Sequence, residues 1–194
     1  MAFPADKRIA LDALIRQEGT ELRGTAYLMT GSWPLADELL QHVLAHLVHT
    51  GVDLTDRRSA LTVARRRLVH LAREPRYRPS SGRPPAAASP QGAHLVAALG
   101  TLHLDQRAAL VLAWFCRLDD AGIGEVLHTD RMHAAALRLA GVDQLRVGLA
   151  QLGDQLVLDD PQPRTPTPRP GPRGPGPALV VASPSSAGDG WGTR

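Results

Sequence analysis

One stretch constrains the fold of this chain more than any other: residues 11–48, which form two amphipathic helical patterns joined by a short turn. In the first half, apolar residues recur at helical spacing with charged residues between them. The run from Thr30 to Pro34 breaks that pattern, and Gly31 suits the left-handed position at a helix C-terminus. Ser32 can cap the next helix, whose period resumes over 36–49. The sequence therefore predicts a helical hairpin.

The residues around this turn resemble a known family signature. Residues 26–41, AYLMTGSWPLADELLQ, are similar to the AYxLTGDxxxAEDLVQE motif of bacterial RNA polymerase sigma factors of the extracytoplasmic-function group. In that family the second helix of the segment docks on the clamp of the polymerase. The resemblance implies that Asp37, Glu38 and Gln41 bind RNA polymerase. The residues alone also allow a plain hairpin, in which the two carboxylates complement the helix dipole.

The next pattern, SALTVARRRLVHLARE over residues 59–74, predicts a third helix in the most basic part of the chain. Guanidinium groups at this density suit contacts with a phosphate backbone, although a solvated arginine face is the alternative. RRRLVHLARE resembles the family's LRRVVVNLARS helix, which contacts the upper part of the −10 promoter element. The family also places strand-stacking aromatics here, and this chain has none between Trp33 and Tyr77. The resemblance implies that DNA is contacted by Arg65, Arg66, Arg67 and Arg73.

The distribution of prolines divides the chain. Residues 74–93 contain five prolines among Arg, Ser, Gly and Ala, a composition typical of a mobile linker. Nine of the sixteen prolines lie after residue 159, which predicts a disordered tail. The predicted organisation is a first domain over 9–74, a linker over 75–93, a second domain over 94–158 and a proline-rich tail over 159–194.

The second domain is again predicted to be helical. The pattern of residues 118–130, LDDAGIGEVLHTD, followed by a long helix, is typical of a helix-turn-helix unit. It resembles the fourth conserved region of the same sigma family, which sits over the −35 element. The family's TVKSR in the recognition helix is HAAAL here, and this domain carries five basic against seven acidic side chains. We therefore expect weak base reading. The remaining candidates for DNA contact are Arg131, His133 and Arg138.

Other classes of function find little support in the sequence. Cys116 is the single cysteine, so no disulfide framework is possible. Glu38, His42, His46 and His49 have helical spacing that could suit a metal, but no HExxH motif or cysteine pair accompanies them. No nucleophile–base arrangement or phosphate-cradling glycine loop stands out. We expect neither enzyme activity nor a cofactor nor a metal site.

These observations predict an all-α, two-domain protein that resembles an extracytoplasmic-function sigma factor. No secretory signal or apolar run of membrane-spanning length is evident, so we expect a cytoplasmic protein that does not bind membranes. The resemblance implies core RNA polymerase and promoter DNA as partners, and members of the family can also bind an anti-sigma factor. Two alternatives remain open: a degenerate sigma-like regulator that does not melt promoters, and a helix-turn-helix DNA-binding protein independent of polymerase.

Overall fold

Two segments of the chain, residues 5–77 and 90–151, are described by the computed structural model, and their regular structure is helical throughout, without a strand. The predicted all-α class is confirmed for these segments. None of the helices in them is long and apolar enough to cross a membrane. The elements are α1 (Ala5–Thr30), α2 (Trp33–His49), α3 (Arg57–Ala72), a 3-10 turn (Pro75–Tyr77), α4 (Pro90–Thr101), α5 (Leu104–Trp114), α6 (Asp120–Leu127) and α7 (Arg131–Gln151).

The hairpin of α1 and α2 forms as its sequence predicts. Gly31 has φ 69°, a left-handed conformation that glycine adopts without steric cost, and its amide donates to the Tyr27 carbonyl at 2.7 Å. Ser32 occupies the N-cap position of α2, but its hydroxyl makes no capping hydrogen bond. The Thr30 hydroxyl instead donates to the Ala26 carbonyl at 2.9 Å. The turn is therefore held by backbone geometry and by Thr30.

Helix α3 begins at Arg57, two residues before the predicted start, because Asp56 caps it. The Asp56 carboxylate accepts a hydrogen bond from the Ser59 amide at 3.2 Å. The apolar face that the sequence predicts is buried. Its members are Leu61, Ala64, Leu68 and Leu71.

The helix-turn-helix unit consists of α6 and α7, which start close to the residues that the sequence predicts. Asp119 caps α6 by accepting from the Gly122 amide at 2.8 Å, and Asp130 accepts from the His133 amide at 2.8 Å as α7 begins. Helix α5, which the sequence predicts to run to Arg117, ends at Trp114, and Arg117 adopts a left-handed φ of 54°. That conformation is incompatible with a right-handed helix, and the chain changes direction here before α6.

The helices before and after residues 78–89 share one apolar core. A single cluster of buried side chains includes Leu22 and Leu39 from the first block together with Leu112 and Ile123 from the second. The ends of the predicted linker are ordered, since Tyr77 is fully buried and α4 starts at Pro90. The centre of the linker (78–89) and the predicted tail (159–194) lie outside the described residues. The division into two domains stays a prediction.

A buried arginine joins the two blocks. The Arg107 side chain on α5 donates from Nε to the Leu99 carbonyl and from Nη1 to the Met29 carbonyl, both at 2.6 Å. These carbonyls belong to the last turns of α4 and α1, where helix C-termini leave acceptors unsatisfied and carry partial negative charge. Burial lowers the pKa of Arg107 to about 10, because it disfavours the charged form. Arg107 thereby connects the ends of three helices.

Candidate functional site

The first predicted polymerase-binding residue, Asp37, lies on α2 and is paired with Arg23 of α1. Arg23 Nε is 2.5 Å from Asp37 Oδ1, and Nη2 is 2.8 Å from Oδ2, a bidentate geometry. The Arg23 guanidinium also lies 4.9 Å from the centre of the Trp33 ring, which stacks on Tyr27 at 4.1 Å. The hydrogen bond from Arg23 holds the pKa of Asp37 below its ordinary value. Both charged groups are about half-exposed and accessible to a partner.

Glu38 and Gln41, the other two predicted polymerase-binding residues, differ in their surroundings. Glu38 accepts a hydrogen bond from the Tyr77 hydroxyl at 3.3 Å, and the same hydroxyl lies 3.1 Å from His42 Nδ1. Gln41 is exposed to solvent. The outer face of α2 therefore presents an acidic and amide surface whose carboxylates are oriented by neighbouring side chains.

Tyr77 is a residue that the sequence reasoning missed. Its position in a proline-rich segment indicated a linker, yet the ring is fully buried and its hydroxyl reaches the side chains of α2. Burial raises the pKa of Tyr77, so the phenol stays protonated and can donate. The only signal in the sequence was that Tyr77 is the single aromatic residue within 74–93. A large aromatic is uncommon in a segment that has no packing role.

The four predicted DNA-contacting arginines of α3 do not form one solvated face. Arg65 is buried and makes an ion pair with Glu21 of α1. Arg66 and Arg73 reach toward the second helical block and are described below. Arg67 lines a cleft between α3 and α6. The basic helix is therefore largely engaged inside the folded chain.

Two contacts connect this basic helix to the second block. Arg66 Nη2 donates to the backbone carbonyl of Glu125 in α6 at 3.1 Å, and Arg73 Nη2 lies 2.8 Å from Asp105 Oδ1 in α5. Arg66 lies on α3 and Arg73 directly follows it, and the family resemblance assigns both to DNA contact. In this arrangement the helix-turn-helix unit covers part of the predicted phosphate-binding surface.

The predicted DNA-contacting residues of α7 divide into two kinds. Arg131 and His133 are exposed in the first turn of the helix, where a recognition helix meets base edges. Arg138 is buried, and its guanidinium makes a bidentate pair with Asp120 of α6, at 2.8 Å from Nε to Oδ1 and 3.2 Å from Nη2 to Oδ2. Met132 stands between the exposed pair and is 80% exposed. The outer surface of α7 is thus more apolar than basic.

The histidine spacing on α2 does not assemble a metal centre in the part of the chain that the structure describes. His42 and His49 each direct Nδ1 to the backbone carbonyl four residues earlier, at 3.0 Å and 2.7 Å. Across residues 5–77 and 90–151, no group of three or more His, Cys, Asp or Glu side chains could hold a metal ion.

Comparison with known proteins adds no family assignment. No protein-family model matches the chain, and no curated protein matches it either.

Proposed function

We propose that this chain is a sigma-like transcription factor that binds core RNA polymerase through the outer face of α2 and directs it to promoter DNA. The observation that carries the proposal is the pair of motif resemblances in the order that the sigma family has them. The first coincides with the α1–α2 hairpin and its Gly31 turn, and the second with α5 to α7. A cytoplasmic location and an anti-sigma partner are part of the same proposal.

The outer face of α2 supports the polymerase-binding step. Asp37 and Glu38 are oriented by Arg23 and Tyr77 respectively, and Gln41 lies beside them without burial. Pre-oriented carboxylates lose less conformational entropy when a basic partner surface binds. Because the Arg23–Asp37 pair is half-exposed, a partner arginine or lysine can share Asp37 at low cost.

A second candidate is a degenerate sigma-like regulator that binds polymerase without opening DNA. Two observations favour it: Arg138 is committed to Asp120, and Arg66 is committed to the Glu125 carbonyl. The strand-stacking aromatics of the family are also missing from α3. Under this candidate the second block keeps α3 covered, and the chain acts by occupying polymerase.

The test is co-purification with core RNA polymerase, followed by run-off transcription on native genomic templates. Gln41→Arg places a positive charge on the proposed acidic face. We therefore expect polymerase binding to fall about tenfold or more, as at an interface hot spot. Gln17→Arg makes the same change at an exposed position of α1 and should leave binding unchanged. Circular dichroism and the Tm verify that both variants are folded.

The outcomes separate the candidates. Binding together with a discrete transcript supports the sigma factor. Binding without a transcript supports the regulator. Absence of binding would contradict both and leave the polymerase-independent DNA-binding module, which predicts tight, salt-dependent binding of DNA by the chain alone.

A further inference from the structure

A cleft of about 340 Å³ lies between α3 and the C-terminal end of α6, and its polar lining is cationic or imidazole in character. Its floor contains valine and leucine side chains from both helices. No carboxylate belongs to the described residues that line it. The polar lining consists of His46, Arg66, Arg67, His70, Arg73 and His128.

The charges in this cleft are incompletely compensated. Arg73 has a carboxylate partner in Asp105, whereas the acceptor for Arg66 among residues 5–77 and 90–151 is a neutral backbone carbonyl. The Nε atoms of Arg66 and Arg67 are buried and have no hydrogen-bond partner within the described segments. An anion in the cleft would offset the uncompensated charge of these two guanidinium groups, which carry further donors on their Nη atoms.

We propose that this cleft binds a small oligophosphate anion, which bridges α3 and the helix-turn-helix unit. Arginine forks match phosphate oxygens in bidentate geometry, and the three imidazoles supply further donors. The volume is within the range of small-ligand sites, and the apolar floor can accept an attached organic group. Duplex DNA is too wide to enter a cleft of this volume. The proposal is independent of polymerase binding and goes beyond the proposed function.

The consequence of binding follows from the position of the cleft. A ligand held by Arg67 on α3 and His128 after α6 contacts both helical blocks at once. Binding to the folded chain alone stabilises it by mass action, so the Tm rises with ligand concentration. The arginines that hold the ligand are also withdrawn from any other phosphate.

The experiment is isothermal titration calorimetry of the full chain with sodium tripolyphosphate at constant ionic strength, with a thermal-shift series beside it. We expect one saturable site and a concentration-dependent rise in Tm. Arg67→Gln removes a charge-assisted donor and should weaken binding about tenfold or more. Arg16→Gln makes the same charge change at an exposed position outside the cleft and should change the Kd less than about twofold.

A second pair of variants keeps the proposal falsifiable if Arg67→Gln folds poorly. His70 is exposed at the rim, so His70→Glu places a carboxylate in the cleft without disturbing the core, and should abolish saturable binding. Gln144→Glu, at an exposed position of α7 outside the cleft, introduces the same carboxylate and is the matched control. Equal weakening by both members of either pair, or no saturable binding to the wild type, would overturn the proposal.

A final arm distinguishes a free oligophosphate from the phosphates of nucleic acid. Duplex oligonucleotides are titrated into the same variants at matched phosphate concentration. Tripolyphosphate binding that depends on Arg67 and His70, with duplex binding that does not, supports the proposal. If only duplex DNA binds, and both cleft variants weaken it, the cleft belongs to a DNA interface and the proposal is wrong.

Discussion

Within the described residues, the α1–α2 hairpin and the α6–α7 unit each contain an arginine–aspartate clamp, and the two clamps lie in different surroundings. In the α1–α2 hairpin, Arg23 grips Asp37 in a bidentate pair whose side chains are 48% and 44% exposed. In the α6–α7 unit, Arg138 grips Asp120 with the same pairing of atoms, but the side chains are 9% and 12% exposed. The chemistry of the two clamps is equal, and their burial is not.

The difference in burial indicates which clamp contributes to the stability of the fold. Water screens the Arg23–Asp37 pair, which therefore contributes little to folding and remains available to a partner. The Arg138–Asp120 pair has lost most of its solvation, so either group left alone would be a buried, uncompensated charge. The hairpin clamp is therefore open to solvent, and the clamp of the α6–α7 unit is part of the interior of the fold.

The largest expected effect is on the buried clamp. Arg138→Met should lower the free energy of unfolding by about 3 to 5 kcal/mol, because Asp120 is left buried without its partner. Arg23→Met should cost far less, because water screens the exposed pair. Urea denaturation monitored by circular dichroism measures both. If the two variants are equally destabilised, burial does not distinguish the clamps.

Double-mutant cycles sharpen this result by isolating each pair. The coupling energy of Arg138 with Asp120 should be about 2 kcal/mol or more, and that of Arg23 with Asp37 should be much smaller. Alanine at the aspartate positions completes each cycle. A large coupling in the hairpin would contradict the assignment of its clamp to a surface role.

The two clamps also show how far the sequence could predict this molecule. Helical periodicity and the glycine in the first turn were sufficient for the hairpin, since both are local properties. The sequence predicts DNA contact for Arg138 because it is one of the few polar side chains left on the recognition helix. Its burial depends on Asp120, eighteen residues earlier, and on the packing of α6 against α7. Periodicity does not contain that information.

Arg107 and Tyr77 make the same point for the rest of the fold. The role of Arg107 as a buried donor to two helix ends depends on where α1 and α4 finish. Tyr77 was assigned to a linker by composition, whereas the ring is buried beside α2. The location of the helices was predictable from local signals, and the partners of the polar side chains were not.

The turns of the two units have similar backbone conformations but different residue types, and we expect a smaller effect on stability from changing them. Gly31 and His128 both have left-handed backbones, with φ 69° and 57°. Gly31→Ala should therefore destabilise the chain by about 1 kcal/mol, since alanine pays a steric cost at this φ. His128→Gly should relieve that cost and be neutral or slightly stabilising. Thermal unfolding of both variants checks the opposite signs, and destabilisation by both would indicate that the His128 side chain outweighs its backbone strain.

The smallest expected effect concerns the titration of the exposed clamp. Because Arg23 holds the pKa of Asp37 below its ordinary value, the folded chain binds a proton at Asp37 less readily than the unfolded chain does. The stabilisation from this pair is therefore complete above the unfolded pKa of about 3.9 and declines as the pH falls through the lower, folded value. Carboxyl-carbon NMR titration should give a lowered midpoint for Asp37 in the wild type.

Arg23→Met tests whether Arg23 causes the lowered pKa of Asp37. With the guanidinium removed, the Asp37 midpoint should rise, since the hydrogen bond from Arg23 is the largest contribution to its lowering. Asp53, whose pKa is lowered by hydrogen bonds from Thr55, serves as the internal control and should not move. An unchanged Asp37 midpoint would mean that the hairpin clamp is open in solution. The carboxylate would then be presented to a partner without orientation, and the contrast between the exposed and the buried clamp would be sharper still.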